Sequence, residues 1–113
     1  MSDISNLKRQ LKIKSGAAKR LLKENGLYRK ESEDLKRKLD KLIADGVPED
    51  EWEVKNARRL CEESNKMIQD SSERLGSNIA DLRELIVQAK KEESLAEDVD
   101  LLNAESVLEE ASI

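Results

Sequence analysis

The sequence predicts an all-α fold: an elongated up-down-up three-helix bundle of coiled-coil type, with two long helices and one shorter carboxy-terminal helix. Three observations carry this. Charged residues make up 41% of the 113 and aromatics 2%, with no Phe and no His. The remainder is rich in Lys, Glu, Leu, Ala and Arg, the makeup of long helices, whereas a compact α/β or all-β domain wants more aromatic and β-branched bulk. Apolar residues recur at helical spacing along most of the chain, and this periodicity decides against disorder, the other reading of so polar a composition. Finally, Gly46 and Pro48 punctuate the chain between two long periodic segments.

With the first heptad started at Ile4, the a and d positions are Ile4, Leu7, Leu11, Lys14, Ala18, Leu21, Asn25, Tyr28, Ser32, Leu35, Leu39 and Leu42. Nine of these twelve are apolar, a sustained period of 3.5. It predicts a helix over about 2–44, some 60 Å long at about 1.5 Å per residue. Ser2 offers an amino-terminal cap, and Gly46 in "ADG" supplies the left-handed residue that ends many helices.

Pro48 suits the first turn of a second helix, where its missing N–H would be unpaired anyway. Glu49, Asp50, Glu51 and Glu53 place negative charge where the helix dipole favours it. This helix is expected over about 48–91, with an apolar stripe of Leu60, Cys61, Met67, Ile68, Leu75, Ile79, Leu82, Leu85, Ile86 and Ala89. The stripe is wider than a two-helix seam, as befits the middle member of three. Lys90 and Lys91 suit its carboxy-terminal turn.

A third helix is expected over about 94–111, opened by a capping box of Ser94 and Glu97 in "SLAE". Leu101, Ala104, Leu108 and Ala111 share one of its faces. The short loop between the first two helices makes them antiparallel. Residues 1–113 are thus read as a single domain of common size, with one end built by two helices alone.

The formal charge of −4 hides an asymmetry. Residues 1–44 hold 13 Lys and Arg against 6 Asp and Glu, and residues 45–113 hold 8 against 19. The basic part either seeks an acidic partner or faces the acidic part of its own chain.

Much chemistry is missing. Without His, the commonest general base and metal ligand is absent. Cys61 has no His to activate it and reads as a buried spacer on the apolar stripe; as the only cysteine it forms no internal disulfide. The acidic clusters lack the calcium-loop pattern, and "KSGAAKR" and "GLYRKE" lack a nucleotide fingerprint. The chain is therefore expected to be no enzyme and to need no cofactor or metal. A nucleic-acid interface is disfavoured, since stacking aromatics are nearly absent and the rest of the chain is acidic. Membrane binding is disfavoured too, because the basic face has no aromatic-rich apolar counterpart. With no signal-peptide run and no stretch of about 18 uncharged apolar residues, the expectation is a cytoplasmic protein.

What remains is protein binding. Lys12, Lys14 and Lys19 by default form a solvated helix face. Ile13 resists that default, because it falls outside the heptad seam as an apolar point in a charged field. Such a point with cations around it suits a hot spot with electrostatic steering.

The stretch "LKIKSGAAKRLLKENGLYRKE" resembles the first-helix signature of the tubulin-specific chaperone A family, also called tubulin-folding cofactor A. Lys12, Ile13, Lys14, Ser15, Gly16, Lys19, Arg20, Leu21, Lys23, Glu24, Tyr28 and Glu31 carry the match. "LCEESNKMIQDSSERL" is similar to the family's second-helix block through Glu63, Ser64, Met67, Ile68, Asp70, Arg74 and Leu75, and Trp52 in "EWEVKNARRL" takes its aromatic position. The likeness spans roughly residues 8–110. One departure is Gln69, where the family usually has Pro; a mid-helix Pro kinks a helix, and Gln69 permits a straighter one.

The resemblance implies an ATP-independent helper, associated with the cytoskeleton, that captures β-tubulin released from the chaperonin. It holds that chain quasi-native and passes it on for αβ-tubulin heterodimer assembly. Partner-binding residues are then expected at Lys12, Ile13, Lys14, Lys19, Arg20, Lys23 and Tyr28 on the first helix, and at Glu63, Met67 and Asp70 on the second. Other tubulin-folding cofactors are further partners the resemblance admits, and a homodimer stays open, since seams of this kind support monomer and dimer alike. Tubulin is acidic, so a basic first helix would speed encounter. Gly16 with Ala17 and Ala18 thins the helix where either a partner or a neighbouring helix approaches, and Gly26 is read the same way. The competing function is a coiled-coil adaptor or scaffold subunit whose stripes serve oligomerisation.

Overall fold

The computed structural model describes residues 2–111 and is all-α. Its elements are α1 Ser2–Ala44, α2 Trp52–Lys90, a 3₁₀ turn Glu93–Leu95 and α3 Val99–Ala111. The cap expected from the Ser2 side chain lies outside the described atoms.

Helix α1 stops because Gly46 takes φ +80°, as "ADG" foretold. The Gly46 N–H donates to the Ile43 carbonyl at 3.0 Å and the Val47 N–H to the Leu42 carbonyl at 3.1 Å. This paired closure satisfies two carbonyls the helix end would otherwise leave open. Helix α2 opens at Trp52, later than Pro48 suggested. Pro48 instead sits in the loop, where its carbonyl accepts from the Glu51 N–H at 3.1 Å; the Glu51 carbonyl then accepts from the Lys55 N–H at 3.2 Å. From there α2 runs without interruption through Gln69.

The start of α3 also differs from the expected capping box. Ser94 lies inside the 3₁₀ turn, whose Leu95 is buried. The cap is Asp98: its Oδ2 accepts from the Asp100 N–H at 2.9 Å and the Leu101 N–H at 3.3 Å. Its Oδ1 lies 3.0 Å from Lys8 Nζ on α1. The box failed because burying Leu95 bends the chain before it can begin a regular helix. Asp98 then meets both the free N–H groups and a cation, two interactions that favour a carboxylate at this end.

The described residues group into two compact units, and both long helices contribute to each. The first takes residues up to Leu22 together with those from Glu73 onward. Its core joins Leu11 and Ala18 of α1, Leu82, Ile86 and Ala89 of α2, Leu95 of the turn, and Leu101, Ala104 and Val107 of α3. Ile4, Leu7, Ile79, Leu85 and Leu108 pack against it. Each fully buried Leu or Val here contributes about 1.5–3 kcal/mol.

The second unit, Lys23–Ser72, is the end of α1, the loop and the start of α2. Its buried apolar residues are Val54 and Ala57; Leu35, Leu39, Leu42, Leu60, Cys61 and Ile68 are only half-buried. Cys61 is therefore not the buried spacer expected of it. Two helices alone cannot shield a seam from both sides, so water reaches residues the heptad places inside. Polar rungs cross this seam. Asn25 Nδ2 lies 2.9 Å from both Ser71 Oγ and Ser72 Oγ, and Arg29 Nε donates to Asn25 Oδ1 at 2.8 Å. Further along, Ser32 Oγ donates to Asn65 Oδ1 at 3.1 Å. These pairings fix the antiparallel register of α1 against α2 within the unit.

Candidate functional site

The two units hold different parts of the expected partner-binding set. In the first unit, Lys12, Ile13, Lys19 and Arg20 are exposed on α1, with Ile13 at 50%. Core residues Leu11, Ser15 and Ala18 occupy the other side of the same turns. Helical spacing explains the division: 12, 13, 19 and 20 are three or four residues from position 16 and share its face, while 11, 15 and 18 share the opposite one.

Lys14 behaves differently. It is half-buried, and its Nζ donates to Asp81 Oδ2 on α2 at 3.0 Å. Asn78 Nδ2 donates to the Lys14 carbonyl at 2.9 Å. Lys14 thus joins α1 to α2 and is the member of the set drawn away from the outward face.

Two ion pairs tie the basic α1 to the acidic remainder within this unit, Lys14–Asp81 and Lys8–Asp98. Among the described residues none is formed by Arg9, Lys12, Lys19 or Arg20. The acidic part of the chain therefore leaves the outward face of α1 uncompensated.

Gly16 stands at the centre of that face. A methyl group added there would meet open space, and the same holds at Gly26 and Gly76. Neighbouring helices do not approach these glycines, so the helix-packing half of the expectation for Gly16 and Gly26 falls away. A glycine inside a helix costs about 1 kcal/mol relative to alanine, and packing within the chain does not offset it here.

In the second unit Lys23 is exposed and Tyr28 half-buried on α1, and Glu63, Met67 and Asp70 are exposed on α2. Glu63 Oε1 accepts from Arg59 Nη1 at 3.1 Å, an exposed pair four residues apart worth only a few tenths of a kcal/mol. Met67 is 42% exposed. The same unit has a groove of about 250 Å³ lined by Leu35, Leu42, Trp52, Ala57 and Leu60. Trp52, at 72% exposure, is an apolar side chain that sequence reasoning noted only as a motif position; its place ahead of the second helix's apolar stripe, which starts at Leu60, was the available signal. No cluster of three His, Cys, Asp or Glu among the described residues is arranged to hold a metal ion, and none of the described helices is long and apolar enough to cross a membrane.

Residues 6–108 match the family described as "Tubulin binding cofactor A". The chain belongs to this family. Tubulin-specific chaperone A of Gallus gallus is 35% identical over 105 residues, covering 93% of each chain, and that of Homo sapiens is 33% identical over the same share. The crystal structure of tubulin folding cofactor A from Arabidopsis thaliana superposes with a TM-score of 0.85 at 29% identity, covering 96% of this chain and 97% of that one. Human tubulin chaperone cofactor A gives 0.80 at 30% identity, covering 95% and 99%. This cofactor A chain is thus a tubulin-chaperone relative along nearly its whole length, and the family is not a known class of enzyme.

Proposed function

We propose that this chain captures β-tubulin released from the chaperonin, holds it quasi-native and passes it on for heterodimer assembly, acting in the cytoplasm beside the cytoskeleton. The observation that carries the reading is the group of exposed cations around Ile13 on α1, left without ion-pair partners by the rest of the chain. Uncompensated surface charge raises encounter rates with an oppositely charged client and loses that advantage with salt. A half-exposed isoleucine among these cations adds an apolar contact that persists once the client has docked. Lys12, Ile13, Lys19 and Arg20 form the main contact set. Lys23, Tyr28, Glu63, Met67 and Asp70 supply further contacts from the second unit. Membership of the cofactor A family and relatives named as tubulin-specific chaperones support the same client.

Native electrophoresis with isolated β-tubulin tests this. The wild-type chain comigrates with β-tubulin, and the double reversal Lys19→Glu, Arg20→Glu weakens the complex at least about tenfold, equivalent to roughly 1.4 kcal/mol. Because both side chains are exposed, helicity and melting temperature stay close to wild type. Equal binding by the reversed protein would show these cations to be solvated decoration.

A further inference from the structure

A glycine is, after proline, the least favourable residue in a helix interior, and Gly16 has no compensating role inside the chain. Its φ is not positive, so no backbone requirement selects it. Open space surrounds the place its side chain would occupy, so no neighbouring helix selects it either. Its nearest surface neighbours on α1, three and four residues away on each side, are Lys12, Ile13, Lys19 and Arg20, all exposed. The result is a dip one residue wide, floored by bare backbone and rimmed by three cations and one apolar side chain.

We infer that this dip is the crossing point for an acidic helix of the client, whose backbone comes against Gly16 while its carboxylates meet Lys12, Lys19 and Arg20. The inference rests on the proposed function and specifies what that surface receives. The distance between two packed helices is set by the side chains at their contact, and a glycine at the crossing gives the closest approach. The cations stand four residues before and three and four residues after Gly16, so carboxylates three or four residues to either side of the client helix's own crossing residue come over them, and Ile13 fills the apolar position beside them. Charge selects an acidic partner, because the chain's own carboxylates leave these three cations unpaired. A nucleic-acid strand fits less well, for the rim offers no aromatic ring on which a base would stack.

Three variants test it: Gly16→Leu, Gly16→Ala and Gly26→Ala. All three raise the melting temperature, since each replaces an exposed helical glycine by a better helix former. Against β-tubulin, Gly16→Leu loses at least about tenfold in affinity, Gly16→Ala loses less, and Gly26→Ala binds like wild type. If Gly16→Leu binds as tightly as wild type while the Lys19, Arg20 reversal loses binding, the crossing at Gly16 is overturned and the proposed function stands. Failure of the wild-type chain to bind β-tubulin sinks the function itself. A second probe then decides the inference alone: a synthetic amphipathic helix with glutamates at three- and four-residue spacing, followed by fluorescence anisotropy at low salt. Weaker binding by Gly16→Leu than by wild type upholds the crossing; equal binding, no binding, or tighter binding of a DNA duplex overturns it.

Discussion

Asp98 does three jobs with one carboxylate: it caps α3 through two backbone N–H groups, pairs with Lys8 and sets where the helix begins. Burial opposes its ionisation, but the Lys8 hydrogen bond, the Leu101 and Asp100 N–H groups and the Lys8 charge together hold its carboxyl below the ordinary value. Lys8 is held above its own, chiefly by the hydrogen bond to Asp98. The signs then give a window. A depressed carboxyl contributes stability that is present above its unfolded value, about 4, and lost as pH falls through the folded one. A raised ammonium contributes stability that is present below its unfolded value, about 10.4, and lost as pH rises through the folded one. Asp98→Ala should cost about 1–2 kcal/mol near neutral pH, as loss of a helix cap does. Asp98→Asn, which keeps an acceptor and loses the charge, should cost less. Urea melts of wild type and Asp98→Asn across pH would show their difference flat near neutrality and shrinking towards acid and alkali. A difference constant from pH 2 to pH 11, values chosen to bracket about 4 and about 10.4, would mean the ion pair contributes nothing. Ser15 offers an opposite test, since its buried hydroxyl has no hydrogen-bond partner. Ser15→Ala removes an unsatisfied group from a helix interior and should leave the melting temperature unchanged or higher. A clear drop would reveal a hydrogen bond in solution, most simply to the preceding helical turn.

At the scale of elements, the interface of α1 and α2 alternates between apolar and polar contacts. Three of the twelve heptad positions of α1 are polar, Lys14, Asn25 and Ser32, and each meets a polar side chain on α2: Asp81, Ser71 with Ser72, and Asn65. Only the Asn25 rung is buried, and the other two are exposed; polar pairs in such a seam stabilise little over apolar substitutes, yet a shift in register leaves them unpaired. Asn25→Ala strips a partner from Arg29, Ser71 and Ser72 and should lower stability by about 1–3 kcal/mol. Asn25→Leu combined with Ser71→Ala should restore much of that loss while loosening register. The readout is size-exclusion chromatography with light scattering, in which new oligomers appear; a monodisperse double variant would assign the rungs no role in specificity. The polar positions of α1 were legible from the heptad, and so was the Gly46 stop. Their partners were not, because a match across a loop depends on register, and sequence periodicity fixes each helix only against itself. The cap of α3 was misplaced for a related reason. "SLAE" satisfies the local capping rule, but burial of Leu95, a tertiary demand, outranks it. The outward set at 12, 13, 19 and 20 was legible because one helix's spacing suffices to define a face.

Taken whole, the chain distributes its apolar burial unevenly, and this predicts uneven stability. The first unit gathers nine buried apolar residues from α1, α2, the turn and α3. The second has Val54 and Ala57 fully inside, with its leucines half-wet and polar rungs across its seam. Hydrophobic stabilisation scales with area removed from water, while the entropy of ordering each residue is similar in both units. The second unit should therefore open locally at a lower free energy than the first, even though each long helix is continuous through its own hydrogen bonds. Amide exchange measured under native conditions resolves this residue by residue. Amides around Leu82, Ile86, Leu101 and Ala104 should exchange only on global unfolding, and those around Leu35, Leu39 and Leu60 by openings a few kcal/mol cheaper. Leu35→Ala should then accelerate exchange in the second unit and leave protection in the first nearly intact, whereas Leu82→Ala should lower both together. Uniform protection along α1 and α2, with Leu35→Ala weakening every amide alike, would show that the helices melt as single cooperative elements and that uneven burial does not partition their stability.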